Sequence, residues 1–287
     1  MVDYYFYTQP GIGDNIAAHG QDFPVLRTFG VLKSIKAKEP DSTITCCVSA
    51  VYNGSTLEII ELNPYIDEFI VGPEWVSNNL TWEFQNRDNF FKNIVKEKVG
   101  IEDSRVSMSF DYEQCPIYVS KGDAAVAYYL YNFVFVNAKV IGIHTGSGKV
   151  SGGDFKHWPF ERWRQLVSVL ISCGYKVVQF GSISEVNIPG AFNMTGFSIR
   201  QQLCVLKALS FFVGTDSAFK SAGYLYRVPT VVLWPAHKDP EIKRQQLCHN
   251  HWRNGEQQIK LLECSVASDI SIETVIKSLK ELERVHK

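Results

Sequence analysis

The chain has 287 residues, 45% of them hydrophobic, which is enough for one large α/β domain or two of ordinary size, each with its own core. Its 29 lysines and arginines against 30 aspartates and glutamates leave a formal charge of −1, which excludes a surface basic all over, as would suit a protein held on nucleic acid or anionic lipid mainly by its field. Seven cysteines, at 46, 47, 115, 173, 204, 248 and 264, form no paired framework, and their odd number fits a reducing cytoplasm.

The opening Met1-Val2-Asp3-Tyr4-Tyr5 has no cationic region followed by an apolar core, so it is not read as a signal peptide. No stretch approaches the roughly eighteen uninterrupted apolar residues of a spanning helix; the closest, 124–138, carries asparagines. A soluble, cytoplasmic protein is expected. Residues 2–8 are rich in aromatic and β-forming types and predict a strand, which runs into Gly11-Ile12-Gly13-Asp14-Asn15 and then helical spacing over 23–38. Pro40-Asp41-Ser42 marks a turn, 43–51 reads as a second strand, and short apolar runs follow at 59–62 and 69–71. This first lobe, 1–136, is expected to hold a small parallel sheet. Residues 74–113 show no clean period, and a helical stretch follows at 123–136.

The second lobe, 137–287, reads regularly: strand 139–144, glycine loop 145–153, helix 160–173, strand 176–180, helix 198–209, strand 210–213, helix 217–226, strand 229–234 and a closing amphipathic helix at 269–286. Strands alternating with helices imply right-handed crossovers, a parallel sheet and ligands at the carboxyl ends of the strands.

Three constellations carry chemistry. In Gly11-Ile12-Gly13-Asp14-Asn15 the glycines let the chain turn sharply and bring backbone amides near a ligand. A carboxylate there repels phosphate but accepts a hydroxyl proton, so Asp14 points to a general base or to sugar binding, unless Asp14 or Asn15 only caps the next helix. The second is His144-Thr145-Gly146-Ser147-Gly148-Lys149, continuing to Lys156-His157-Trp158-Pro159, whose small residues, hydroxyls and lysines suit a diphosphate. It lacks the ending of a P-loop, and its lysines also fit a merely solvated loop. In the third, Gly214-Thr215-Asp216-Ser217-Ala218-Phe219-Lys220-Ser221, a strand end enters a helix whose free amides attract a diphosphate, with Lys220 one turn in. Asp216 there is placed to hold a sugar or ribose hydroxyl; an ordinary N-cap is the alternative. Asp111-Tyr112-Glu113 and Cys248-His249-Asn250-His251 are too unspecific to define a metal site.

In order, these segments resemble the heptosyltransferase-like family of glycosyltransferases. Gly11-Ile12-Gly13-Asp14 is similar to the family's glycine-aspartate loop, and His144-Thr145-Gly146-Ser147 with Lys156-His157-Trp158-Pro159 to its histidine-x-glycine and lysine-x-tryptophan-proline stretches. Gly174 to Ser182, Asn193-Met194-Thr195-Gly196 and Phe212-Val213-Gly214-Thr215-Asp216-Ser217 complete the series. The resemblance implies a GT-B fold, two Rossmann-like lobes with parallel sheets facing a central cleft, the first lobe binding acceptor and the second a nucleotide sugar. It implies an inverting transferase, independent of metal and of any cofactor, that moves a sugar from a nucleotide diphosphate donor such as an ADP-heptose to a hydroxyl acceptor, with peripheral membrane contact among its implications. Asp14 would be the base, flanked by Gly11, Gly13 and Asn15. Thr145, Gly146, Ser147, Lys156, Ser217, Ala218 and Lys220 would hold the diphosphate, and Gly181, Thr195, Gly196 and Asp216 the nucleotide and sugar. The chain departs from the family where Ala218 stands for its glycine and Ser221 for its histidine. Two other readings keep the fold: a transferase whose acceptor is a hydroxylated nucleic-acid base or a protein rather than a saccharide, and a nucleotide-sugar binding protein without transfer.

Overall fold

The computed structural model describes residues 3–7, 32–48, 53–71, 116–146, 157–235, 259–264 and 266–286. The chain divides into two compact units, Met1–Tyr118 and Val119–Lys287. Each is an α/β arrangement on a parallel sheet.

In the first unit the described elements are β1 (Asp3–Tyr7), α1 (Leu32–Lys38), β2 (Thr43–Val48), α2 (Asn53–Ile60) and β3 (Glu68–Val71). The strands lie in the order β1-β2-β3, all parallel, with Asp3 opposite Thr43 and Thr45 opposite Glu68. Parallel neighbours need a crossover, and α2 supplies the one between β2 and β3. Leu32 and Ile35 of α1 and Ile44, Cys46 and Val48 of β2 are fully buried. The turn at 40–42 is fixed electrostatically: Lys36 donates to the Ser42 carbonyl at 2.6 Å and pairs with Asp67 at 2.7 Å, and Asp67 accepts from the Ile44 amide at 2.7 Å. Burial pushes the Asp67 carboxyl up, but these partners outweigh it and hold it below the usual aspartate range. Helix α2 was not expected, since Asn53 and Gly54 are poor helix formers and only the apolar run from 59 marked its end.

The second unit contains α3 (Lys121–Tyr129), which continues as a π-helical turn (Leu130–Val134), then β4 (Val140–His144), α4 (Phe160–Ser172), β5 (Lys176–Phe180), β6 (Phe192–Asn193), α5 (Ile199–Leu206), β7 (Phe211–Thr215), α6 (Ala218–Leu225), β8 (Thr230–Pro235), β9 (Ile259–Cys264) and α7 (Ile272–Val285). The boundary expected at 136 is corrected to 118, because α3 packs on the second unit. Asp123 pairs with Arg200 of α5 at 2.9 Å, the Tyr131 hydroxyl donates to the Val205 carbonyl at 3.2 Å, and the Phe135 ring meets Phe192 edge-on at 5.5 Å. A capping box at Ser120 and Asp123 starts this helix. The edge strand β9 was not anticipated, since Lys260 and Glu263 interrupt its apolar pattern.

The six strands lie in the order β6-β5-β4-β7-β8-β9, all parallel. The chain starts in the middle, builds outward to β6, then returns to the other side of β4, which is the Rossmann winding with its switch point between β4 and β7. One face packs on α4 and α7 through Trp163, Leu166, Val167, Val275, Leu279 and Leu282. Trp158 and Trp163 meet edge-on at 4.9 Å, and the Trp158 indole donates to the Ile270 carbonyl at 2.8 Å, tying the start of α4 to the start of α7. Among the described residues no helix is long and apolar enough to cross a membrane.

Gly142 sits at the centre of β4 under Leu209, Phe180 and Phe212; a β-carbon there would stand 2.4 Å from the Leu209 Cδ1 and 2.7 Å from the Phe180 ring. Gly142→Ala is therefore expected to destabilise by about 1–3 kcal/mol through overpacking. Gly122→Ala, on the exposed side of α3 with its nearest neighbour at 3.6 Å, should be neutral or gain about 0.5–1 kcal/mol. Thermal denaturation of the two variants checks the contrast.

Candidate functional site

The carboxyl ends of β4, β5, β6 and β7 converge at the switch point, where a Rossmann sheet opens a crevice. His144 ends β4 beside Gly214 of β7. Its Nδ1 lies 2.8 Å from the Ser217 hydroxyl and its Nε2 3.3 Å from Glu185 Oε1. An ionised carboxylate only accepts, so Nε2 carries the proton and, in the neutral ring, Nδ1 accepts from Ser217. Phe219 packs on His144 at 4.8 Å and on Phe180 at 5.4 Å, which closes the crevice from below with apolar rings.

Glu185 is the centre of this cluster. Its carboxylate also accepts from the Ser182 amide at 2.9 Å and the Thr145 hydroxyl at 3.3 Å. It fills the space above two glycines: a β-carbon on Gly146 would stand 2.7 Å from the Glu185 carboxyl carbon, and one on Gly181 2.5 Å. Gly181 also has φ of +142°, where a side chain is disfavoured. Burial pushes the carboxyl up, but the His144 hydrogen bond and charge, the Ser182 amide and the Thr145 hydroxyl outweigh it, leaving Glu185 below the usual glutamate range.

The next strand ends join through buried amides. Gln202 accepts from the Gly181 amide at 2.9 Å and donates to the Gly181 and Phe197 carbonyls at 3.1 and 2.9 Å. This brings the Gly181 turn beside the Thr195-Gly196 turn, in which the Thr195 amide donates to Asn193 Oδ1 at 2.9 Å. On the other side, the buried Thr215 hydroxyl donates to the Gly146 carbonyl at 2.9 Å, locking the β4 loop to the β7 loop.

Ser217 stands at the N-cap position of α6 but makes no side-chain capping bond, because its hydroxyl is engaged by His144. The first-turn amides of α6 thus keep their need for an acceptor. Lys220 is buried one turn further on, paired with Asp216 and with its ammonium 4.8 Å from the Trp234 ring centroid.

Of the residues expected from sequence, Thr145, Gly146, Gly181, Thr195, Gly196, Asp216, Ser217, Ala218 and Lys220 lie on these loops and on the first turns of α6. Gly11, Gly13, Asp14, Asn15, Ser147 and Lys156 lie outside the described residues, as do Asp111 to Glu113 and Cys248 to His251. Glu185 and Gln202 were not anticipated, and His144 and Thr215 stood in the second and third constellations without a role of their own. Glu185 had a signal: Ser182-Ile183-Ser184-Glu185 has the serine-x-x-glutamate spacing of a reciprocal side-chain-to-amide bond. Among the described residues no group of three His, Cys, Asp or Glu is arranged to hold a metal ion. A cavity of about 540 Å³ lined by Lys139, Leu170, Tyr175 and Leu279 opens at the amino ends of β4 and β5, the opposite edge of the sheet from the crevice.

The fold and crevice define a class: a two-unit α/β protein with a Rossmann-type ligand edge, the architecture of GT-B glycosyltransferases. Within it the chain has the heptosyltransferase-like fold. It is similar to the glycosyl transferase family 9 protein of Veillonella parvula DSM 2008, with a TM-score of 0.67 and 16% identity over 98% of this chain and 97% of that one. It is similar to E. coli ADP-heptose lps heptosyltransferase II, with a TM-score of 0.63 and 15% identity over the full length of both chains. The E. coli heptosyltransferase WaaC with ADP aligns at a TM-score of 0.55 and 12% identity over 99% of this chain and 98% of that one. No family model and no curated protein sequence matches the chain.

Because the folded state holds the Glu185 carboxyl below its ordinary range, its stabilising contribution is present above the ordinary glutamate pKa and is lost as the pH falls through the lower, folded value. Glu185→Gln is expected to cost about 1–3 kcal/mol near neutral pH and to show a smaller further loss on acidification than the parent. Melting temperatures of the two proteins measured from neutral to strongly acid pH test this; parallel curves would refute it.

Proposed function

We propose that this protein is an inverting, metal-independent glycosyltransferase that takes a sugar from a nucleotide diphosphate donor and places it on a hydroxyl acceptor. The observation that carries the reading is the uncapped start of α6 at the switch point, beside Thr145 and Gly146. Amides there attract the oxygens of a diphosphate and stabilise it as it leaves, without reorganisation. The likeness in fold to a heptosyltransferase solved with ADP supports a nucleotide at this edge. Ser147, Lys156 and the Ser217 and Ala218 amides are assigned to the diphosphate, while Thr145 and Gly146, engaged by Glu185, border it. Glu185 repels phosphate but accepts from hydroxyls, so the ribose or sugar belongs on its side, near Gly181, Thr195 and Gly196. Asp216, held by Lys220, is a second acceptor for sugar hydroxyls. Lys220, neutralised by Asp216, is assigned to orienting that carboxylate rather than to the diphosphate. Asp14, in the glycine loop with Gly11, Gly13 and Asn15, is assigned as the base that takes the acceptor proton.

A reading as a binding protein without transfer draws support from the pairing of Lys220 with Asp216 next to Ser221, the position of the family's histidine. Titration calorimetry with a panel of ADP-, UDP- and GDP-sugars, joined to an assay of donor turnover, separates the two. At least one nucleotide sugar is expected to bind, and Lys156→Ala to weaken it by about tenfold or more, the value of a charge-assisted contact. Asp14→Asn is expected to leave donor binding intact and to lower turnover by about 10²–10⁴. Failure of every nucleotide sugar to bind would end the proposal; binding without turnover in the parent protein would favour the second reading.

A further inference from the structure

The Ser217 hydroxyl has a single proton, and His144 decides where it points. With the imidazole neutral and its proton on Nε2 facing Glu185, Nδ1 accepts, so the Ser217 proton is held inside the protein across 2.8 Å. With the imidazole charged, Nδ1 carries a proton as well and donates to the Ser217 oxygen, which frees the hydroxyl proton for another acceptor. Ser217 is half-buried at the N-cap position of α6, beside first-turn amides that keep their need for an acceptor. In one state it offers an anion only lone pairs; in the other it joins the amides as a donor.

The surroundings of the buried ring pull in both directions. Glu185, from the turn after β5, favours the charged form through its ionised carboxylate at 3.3 Å. Burial and the amino end of α6, which carries about half a positive charge, favour the neutral form. Asp216 and Lys220 at the start of α6 pair with each other and contribute no net charge. Among the described residues the other neighbours of the ring do not titrate near neutrality: Phe180 of β5 and Gly214 of β7 stand opposite it in register, Phe219 of α6 packs on its face, and Thr145 follows it. A diphosphate at the helix start changes this balance. Its charge covers the helix end and stabilises a cation beside it, while a proton gained by the ring offsets the Glu185 charge that otherwise repels the ligand.

We propose that His144 is a positioning residue that takes up a proton as the diphosphate of a nucleotide sugar binds, turning the Ser217 hydroxyl from a donor to Nδ1 into a donor to a diphosphate oxygen. The proton comes from solvent onto Nδ1, no covalent bond to the ligand forms or breaks, and departure of the diphosphate returns the proton to solvent and the hydroxyl to Nδ1. The inference rests on the reading of this edge as a nucleotide-sugar site. Proton uptake on binding and tighter binding on acidification are one linkage, so affinity rises as the pH falls through the imidazole range and is lost as the pH rises above it. Glu185, held below the ordinary glutamate range, stays ionised throughout, and the doubly esterified diphosphate of a nucleotide sugar does not titrate near neutrality, so neither imitates the effect.

The test is titration calorimetry of the full chain with ADP-glucose, UDP-glucose and GDP-mannose between about pH 6 and 8, in buffers of different ionisation enthalpy, which reads the protons taken up with the ligand. For a nucleotide sugar that binds, uptake approaching about one proton and roughly tenfold tighter binding at the acid end are expected. His144→Asn, checked by its melting temperature, should lose both, and Ser217→Ala should weaken binding more at the acid end than at the alkaline end. Glu185→Gln removes the carboxylate that favours the charged ring and should move the rise in affinity to lower pH, a comparison that stands even where His144→Asn does not fold. Binding without proton uptake overturns the proposal and leaves the transferase reading in place. So does a pH profile that His144→Asn retains or Glu185→Gln does not move, or an equal loss at both ends in Ser217→Ala. Failure of all three nucleotide sugars to bind at any pH overturns this proposal together with the reading it rests on.

Discussion

His144 joins three loops that sequence keeps far apart. Its ring is held by Ser217 on one side and by Glu185 on the other, while Phe219 packs on its face. Through these contacts the end of β4 is fastened to the start of α6 and to the turn after β5. The consequence for α6 is direct. An N-cap serine ordinarily satisfies one of the first-turn amides with its own oxygen; here the hydroxyl is drawn to the histidine, and the helix start keeps its attraction for an external acceptor. The Thr215 bond to Gly146 acts in the same direction, fixing the distance between the two loops that would share one ligand.

The carboxylate that completes this cluster limits what can bind. Glu185 lies directly over Gly146 and Gly181, which have no side chain to displace it, and it accepts a hydrogen bond from the Thr145 hydroxyl. A phosphate brought to the same spot meets a fixed negative charge, whereas a hydroxyl finds an acceptor already oriented by three donors, His144, Thr145 and the Ser182 amide. The edge is thus chemically divided, with hydroxyl recognition over β4 and β5 and anion attraction at the start of α6. A sugar nucleotide has the same two chemistries in one molecule.

Much of the second unit was legible because its strands are buried on both faces and flanked by helices with clear period. Trp163, Leu166, Val167 and Leu170 mark α4 in sequence and are its buried face in the structure. Where the reading fell short, long-range contacts decided. Residues 123–136 were visible as helical, but only the pairing of Asp123 with Arg200 and of Tyr131 with Val205 assigns them to the second unit. The edge strand Ile259–Cys264 pairs on one side with β8, so its partly polar pattern did not read as a strand. Thr145, Ser217 and the glycines of the site were visible through turn and helix-start chemistry. Glu185 was not singled out, and His144 was read only as part of its loop, because what defines them is a contact spanning 41 residues of chain.

The start of α6 also has an electrostatic reading. Lys220 stands one turn into α6, where its ammonium faces Asp216 and the Trp234 ring inside the unit. The pair is neutral as a whole, and with Glu185 ionised the described side chains at this edge carry no surplus of positive charge. Helix amides alone supply about half a charge, too little to balance a departing diphosphate. Under the proposed function Lys149 and Lys156, the lysines of the segment between β4 and α4, are assigned to that remainder. Lys156 is therefore the side chain on which donor affinity should depend most, and the orienting of Asp216 by Lys220 is a matter of sugar recognition rather than of phosphate charge.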